Sequence, residues 1–229
     1  MDKVHYELTR KSVKNINLRI RPDGTVAVSA PRSIPRDVID TFVNSRHQWI
    51  EDAQKRAKSQ ALPPWAPENV CDGCTVSYLG KPCILHVLAA NSARMEFWAS
   101  GITLFKDPQN KEACAKHFKS GWEKRCLNVF EPILKTQAKL LSQAVPSHTL
   151  KIRDMKSRWG TCNVKKGIIT LSSRLLQYPE GCIAYVALHE LLHFFHPNHG
   201  AGFYRSLESV WPEWKKEKEL LKKGIVRAS

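Results

Sequence analysis

The stretch that decides the fold of this 229-residue chain is His189-Glu190-Leu191-Leu192-His193, with His199 further along. On a helix, residues four apart lie on one face about one turn apart, so His189 and His193 can reach the same metal ion. Glu190 directly follows the first histidine, where its carboxylate can take a proton from a water on that ion. A third protein ligand would leave the fourth position of a tetrahedral ion open. Three protein ligands are the usual number in a catalytic zinc site.

The residues around this motif predict a buried helix. The segment from Ile183 to Leu188 is apolar, and the apolar character continues through Leu191, Leu192, Phe194 and Phe195. A helix that is apolar on nearly every face lies inside a protein. Burying two histidines and a glutamate there is costly unless the side chains are paired or coordinate a metal. The pattern therefore favours a metal site over core histidines with ordinary hydrogen bonds.

Three residues are candidates for the third ligand. His199 is favoured because Pro197 disfavours helix at His196, so the chain can turn there and bring His199 back towards the ion. His196 itself faces the same way as His189 but stands roughly 10 Å further along a straight helix. Glu208, on the helix predicted to follow, is the other alternative.

The chain is strongly basic, with 36 Lys and Arg against 21 Asp and Glu, a net charge of +15. This excess favours an anionic partner or substrate, such as nucleotide phosphates or a nucleic acid held by a basic surface. The alternative is that the charges only keep the surface solvated. No nucleic-acid-reading motif accompanies it. One lysine cluster, between Lys215 and Lys223, alternates with glutamates and predicts a solvated helix face with paired charges.

The chain shows no signal for a membrane or for secretion. It has no run of 18 apolar residues, and its first residues include no apolar signal segment. We therefore expect a cytoplasmic protein whose seven cysteines are reduced thiols. Cys71 and Cys74 form a C-x-x-C without a second pair at zinc-finger spacing, which favours turn cysteines over a structural zinc site completed by Cys83 and His86.

Periodicity predicts a mixed α and β protein. Alternating residues around Asp23-Gly24 predict a hairpin, and helical spacing follows from Ser33 to about Lys58. Four short strands are expected between residues 75 and 105, then a long helical region over 111–144 that Pro132 should kink or split. Two further strands, near 149–153 and 168–171, precede the helix with the histidines.

Two segments resemble a known family. The first is Lys156-Ser157-Arg158-Trp159-Gly160-Thr161-Cys162 followed by Gly167–Leu171, and the second is Tyr185–His193 followed by Asn198-His199, Phe203, Pro212 and Trp214. With the opening hairpin at Leu18–Gly24 and Val28–Pro31, they look like the YgjP-like metallopeptidases, relatives of the SprT and WLM zincins, over roughly residues 12–224. The chain departs from that pattern at Ser172, where Asn is usual, and at Gly200, where Ser is usual.

The resemblance implies an α+β, zincin-like metallopeptidase fold. In that family the metal is held by residues that map onto His189, His193 and His199, and the glutamate maps onto Glu190. We expect a β-rich N-terminal region with one helix over residues 1–108 and a zincin-like catalytic domain over 109–229.

Two enzymatic functions and one binding function are compatible with the sequence. The first is a zinc peptidase in which Glu190 activates a water for attack on a peptide carbonyl. The resemblance also implies a second, because some bacterial members are assigned as UTP pyrophosphatases, and a +15 chain suits that substrate. The third is a nucleic-acid-associated protein with a vestigial site. Arg158 and Trp159 are candidate substrate-binding residues, because the guanidinium of Arg158 could bind a phosphate or a carboxylate. The alternative is that the two side chains form a structural cation–aromatic stack.

Overall fold

The protein is an α+β structure, as the sequence predicts. The computed structural model describes residues 4–20, 24–59, 64–98 and 101–223. The chain divides into two compact units, Met1–Ala61 and Leu62–Ser229. The boundary expected between residues 108 and 109 falls inside the second unit, where strands and helices from both sides of it share one hydrophobic core.

The first unit contains a three-stranded sheet. Its strands are β1 (Glu7–Arg10), β2 (Asn17–Ile20) and β3 (Val26–Ala30), in the order β1-β3-β2. β2 and β3 are antiparallel, which confirms the predicted hairpin, although its turn residue Asp23 lies outside the described residues. β1 pairs with β3 in parallel. The alternate residues of β3 that face inward form the core of this unit.

Two helices follow in the first unit, where the sequence predicts one helix from Ser33 to Lys58. They are α1 (Arg36–Asn44) and α2 (His47–Ser59), so the prediction of a continuous helix is wrong. At the break, the Ser45 hydroxyl donates a hydrogen bond to the carbonyl of Phe42 (2.9 Å). A serine that bonds back to the helix backbone competes with helical hydrogen bonding and favours a helix end.

The second unit begins with a four-stranded sheet at the predicted positions. β4 (Cys74–Tyr78), β5 (Lys81–Leu88), β6 (Arg94–Phe97) and β7 (Gly101–Phe105) lie in the order β4-β5-β7-β6. Just before and within β4, Cys71 and Cys74 are joined in a disulfide. The expectation of reduced thiols is therefore wrong for this pair, while the other five cysteines are free.

A long helix, α3 (Lys111–Lys139), packs against this sheet and against the helix that carries His189. The helix is not split at Pro132, because it continues through that residue, and a kink there stays a prediction. Proline lacks the N–H that would bond the carbonyl of residue 128. Both Asn128 and Pro132 are exposed, so water can satisfy that carbonyl.

The remaining elements of the second unit carry the candidate site. β8 (Thr149–Arg153), β9 (Gly160–Asn163) and β10 (Ile168–Ser172) form a sheet in the order β8-β10-β9, which leaves β9 at an edge. Three helices follow, α4 (Glu180–Leu192), α5 (Ala201–Val210) and α6 (Trp214–Lys223). α4 contacts α3, α5, α6, β9 and β10, and most of its side chains are buried, as its apolar sequence predicts. Within the described parts of the chain, no helix is both long and apolar enough to cross a lipid bilayer.

Candidate metal centre

Three imidazoles converge at the C-terminal end of α4. His189 lies in the last turn of the helix, His193 is its C-terminal cap, and His199 comes from the segment that leads into α5. One nitrogen from each ring can be chosen so that all three atoms lie within 4.8 Å of one another. The Nε2 atoms of His189 and His199 are 2.9 Å apart. Two nitrogens bound to one tetrahedral zinc would be roughly 3.3 Å apart, so a small adjustment would suit such an ion.

The chain turns sharply after His193, as Pro197 predicts. The amides of Phe194, Phe195 and His196 still bond to carbonyls at the end of α4, and α5 begins only at Ala201. Phe203 of α5 is fully buried, and its ring centre lies 4.9, 5.2 and 4.8 Å from those of His189, His193 and His199. This phenyl ring therefore forms an apolar floor that fixes the position of all three imidazoles.

A backbone hydrogen bond orients one of the candidate ligands. Nδ1 of His193 lies 3.0 Å from the carbonyl oxygen of His196, which can only accept a hydrogen bond. Nδ1 therefore carries the proton, and Nε2 keeps its lone pair free for a metal. Such outer contacts are a regular feature of histidine ligands because they set the tautomer and the ring orientation.

The two alternative ligands lie elsewhere. The ring of His196 bonds through Nε2 to the hydroxyl of Ser206 (3.0 Å), so it supports the turn between α4 and α5. Glu208 is exposed, and its carboxylate is 3.7 Å from the ammonium of Lys215. Neither belongs to the cluster of His189, His193 and His199.

Burial disfavours the charged forms of His189 and His199. It lowers the pKa of His189 to about 3, and the neighbouring His193 and His199, followed by Lys218, add to this effect. Burial also lowers the pKa of His199, again with help from His193 and Lys218. Neutral imidazoles offer a lone pair to a metal without first losing a proton, so the cluster is ready to bind one near neutral pH.

Glu190 lies beside the cluster and is almost fully enclosed. It is 5% exposed, and burial raises the pKa of its carboxyl to about 8, although the positive charge of Arg158 opposes this shift. Its carboxylate rests against the backbone of Gly160 in β9, because a Cβ at that position would be 2.6 Å from Oε1. A bound divalent cation would favour the ionised form. The group is therefore placed to accept and return a proton.

The two predicted substrate-binding residues have different surroundings. Arg158 is exposed, and its charge acts on Glu190. The Trp159 ring packs edge-on against Tyr178, with ring centres 5.0 Å apart, and joins the hydrophobic core. In the described part of the chain, no arginine stacks on Trp159. A substrate-binding role for either residue stays a prediction.

Sequence reasoning missed two residues of the site. The sequence marks Gly160 only as part of the segment Lys156–Cys162 that resembles the family, although Gly160 touches Glu190. Lys218 was assigned to a solvated helix face, yet its charge reaches His189 and His199. No local pattern could have found either contact, because both depend on how β9 and α6 pack around α4.

The comparison with protein families agrees with this geometry. The model of a family described as "YgjP-like, metallopeptidase domain" matches residues 14–224. The chain belongs to the YgjP-like family. It is accordingly a metallopeptidase, and membership of this family implies a divalent metal and a peptide substrate. The cluster of His189, His193 and His199 could bind such a metal.

Two solved structures are similar over part of the chain. One is the metallopeptidase zymogen abylysin of Pyrococcus abyssi, 26% identical, with a TM-score of 0.38 over 41% of this chain and 92% of that one. The other is the metallopeptidase zymogen jannalysin of Methanocaldococcus jannaschii, 23% identical, with a TM-score of 0.34 over 43% of this chain and 88% of that one. No curated protein is significantly similar to the chain.

Proposed function

We propose that the protein is a zinc-dependent peptidase in which His189, His193 and His199 hold the metal and Glu190 is the general base. The observation that carries this proposal is the convergence of three imidazole nitrogens within 4.8 Å of one another, beside the buried Glu190 carboxylate. Catalytic zinc sites commonly use three protein ligands and leave the fourth position open.

The donor set favours zinc among the divalent metals. Imidazole nitrogens suit zinc, copper, iron and nickel, whereas magnesium and calcium prefer oxygen ligands. The cluster has no carboxylate or thiolate within it. When bound, zinc supplies a Lewis acid that polarises the substrate carbonyl and lowers the pKa of a water.

Glu190 performs the proton transfers of the proposed reaction. Its carboxylate accepts a proton from the attacking water as the new C–O bond forms at the peptide carbonyl. The same carboxyl then donates that proton to the amide nitrogen as the C–N bond breaks, so the carboxylate is regenerated. Burial raises the pKa of the Glu190 carboxyl towards neutral pH, which suits a group that must take up and release a proton.

The edge of β9 is a suitable place for a peptide substrate. Among the described residues, β9 pairs only with β10, so its outer edge is open. An extended peptide can add to such an edge through main-chain hydrogen bonds. Gly160, the first residue of β9, touches Glu190, so a peptide along this edge would bring a carbonyl close to the general base.

A side-by-side assay tests the proposed function. The zinc-loaded protein would be incubated with a peptide library and with a panel of nucleoside triphosphates that includes UTP. We expect peptide cleavage that a chelator abolishes and that zinc restores. Hydrolysis of nucleotides without any peptide cleavage would contradict the proposal and would favour the pyrophosphatase that the family resemblance also implies.

A further inference from the structure

Three stacked aromatic rings lie beside the metal centre. The ring of Trp214 stacks on Tyr185 (ring centres 6.0 Å apart, 10° between planes) and on Tyr204 (5.6 Å, 24°). The two tyrosines in turn approach the candidate ligands. The ring centres of Tyr185 and His189 are 6.1 Å apart, and those of Tyr204 and His199 are 6.4 Å apart. The stack therefore connects the start of α6 to the histidine cluster.

Lys218 extends from α6 over this stack. It lies one turn after Trp214, and its ammonium is 5.1 Å from the centre of the Trp214 ring. The side chain is half-buried, so the aromatic face restricts where the charge can go. Its electrostatic influence on both His189 and His199 agrees with a position at the rim of the metal centre.

Among the described residues, Lys218 lacks the kind of ion pair that Lys215 and Lys222 form. Lys215 is 3.7 Å from Glu208, and Lys222 is 2.5 Å from Glu219. Lys218 forms no ion pair with any residue in the part of the chain that the structure describes. An ammonium held against the Trp214 ring, without an ion pair of its own within the described ranges, can receive an anion from outside.

We infer that Lys218 binds a carboxylate of the substrate, so that the metal centre prefers peptides that carry a negative charge near the scissile bond. This inference rests on the proposed peptidase function. The charge of Lys218 acts on His189, and that of Arg158 acts on Glu190. A divalent cation would make this region more positive still, which favours an anionic substrate group.

Matched peptides test the inference and distinguish the two possible sources of the carboxylate. One pair differs only in a free C-terminal acid against an amide, and a second pair differs only in an internal Glu against Gln. We expect the zinc-loaded protein to show a lower KM for the acidic member of at least one pair, by roughly fivefold for a partly exposed ion pair. Lys218→Ala should abolish this difference and Lys218→Glu should reverse it, whereas the control Lys222→Ala should retain it.

A binding assay separates this inference from the proposed function. The probes are a hydroxamate with a carboxylate on a short alkyl linker and its neutral carboxamide analogue, with binding to the zinc-loaded protein measured by calorimetry. The carboxylate probe should bind roughly fivefold tighter in the wild type and equally in Lys218→Ala. Equal binding in the wild type overturns the role of Lys218 while leaving the peptidase proposal intact. Failure of both probes to bind overturns the metal centre and the inference with it.

Discussion

Gly160 of β9 and Glu190 of α4 are in direct contact. A Cβ at position 160 would lie 2.6 Å from Oε1 and 2.7 Å from Cγ of Glu190. Real Cβ atoms essentially never approach heavy atoms so closely. The absence of a side chain at Gly160 therefore allows β9 to lie against the proposed general base, and the backbone of the edge strand limits where that carboxylate can be.

Gly160→Ala should impair hydrolysis without removing the metal. The added methyl group displaces the Glu190 side chain, whereas His189, His193 and His199 keep their positions. We expect a fall in kcat of about a hundredfold or more, the usual effect of losing a well-placed general base. The measurement is kcat on a cleaved peptide, together with zinc content by elemental analysis.

Gly200→Ala is a matched control, because a Cβ at this position would meet nothing within 4 Å. It adds the same methyl group one residue from His199 and should leave kcat nearly unchanged. Equal activity of both alanine variants and the wild type would contradict the positioning role of Gly160.

Glu190→Gln should retain the metal and lose hydrolysis. The amide has nearly the same shape as the carboxyl group but cannot accept the proton of the attacking water. The expected loss of kcat is about a hundred- to ten-thousand-fold. Zinc content and kcat would be measured on one preparation, and turnover near that of the wild type would rule out Glu190 as the base.

His199→Ala should lose zinc, whereas His196→Ala and Glu208→Ala should keep it. Among the residues that the structure describes, only His199 joins His189 and His193 in the cluster. His196 contributes its backbone carbonyl to the orientation of His193, and alanine preserves that carbonyl. Zinc affinity would be measured by competition with a chelator. Full occupancy in His199→Ala with loss in Glu208→Ala would show that the ligand assignment is incorrect.

Trp122→Phe should destabilise the second unit. Trp122 is fully buried among aromatic rings, and its indole N–H donates to the carbonyl of Ser173 (2.9 Å). Phenylalanine leaves a void and removes this hydrogen bond, so the buried carbonyl is left to the weaker thiol donor of Cys126 (3.6 Å). We therefore expect a loss of about 2–4 kcal/mol in the free energy of unfolding. Urea denaturation would measure it. Trp98→Phe is the control, because Trp98 is 58% exposed and its replacement should change stability by less than about 0.5 kcal/mol.

Local sequence patterns predicted much of the second unit. The strands around the turn at Leu79-Gly80 and the buried helix α4 follow from alternation and from an all-round apolar pattern. Patterns were less reliable where a local interaction competes with periodicity. The periodicity over Ser33–Lys58 does not reveal that Ser45 bonds back to Phe42 and ends α1. It also does not reveal that Pro132 lies on a solvent-facing side of α3, where the helix can continue.

The sequence by itself determined the chemistry available at the site. The spacing of His189 and His193 places two imidazoles on one helix face, Glu190 adds a carboxylate beside them, and Pro197 forces a turn before His199. The tertiary structure decided which further residues meet that group. Gly160 touches Glu190 because β9 packs against α4, and the charge of Lys218 acts on the histidines because α6 packs against the same helix. Such contacts join residues far apart in the chain, so they depend on packing between elements and leave no periodic signal in the sequence.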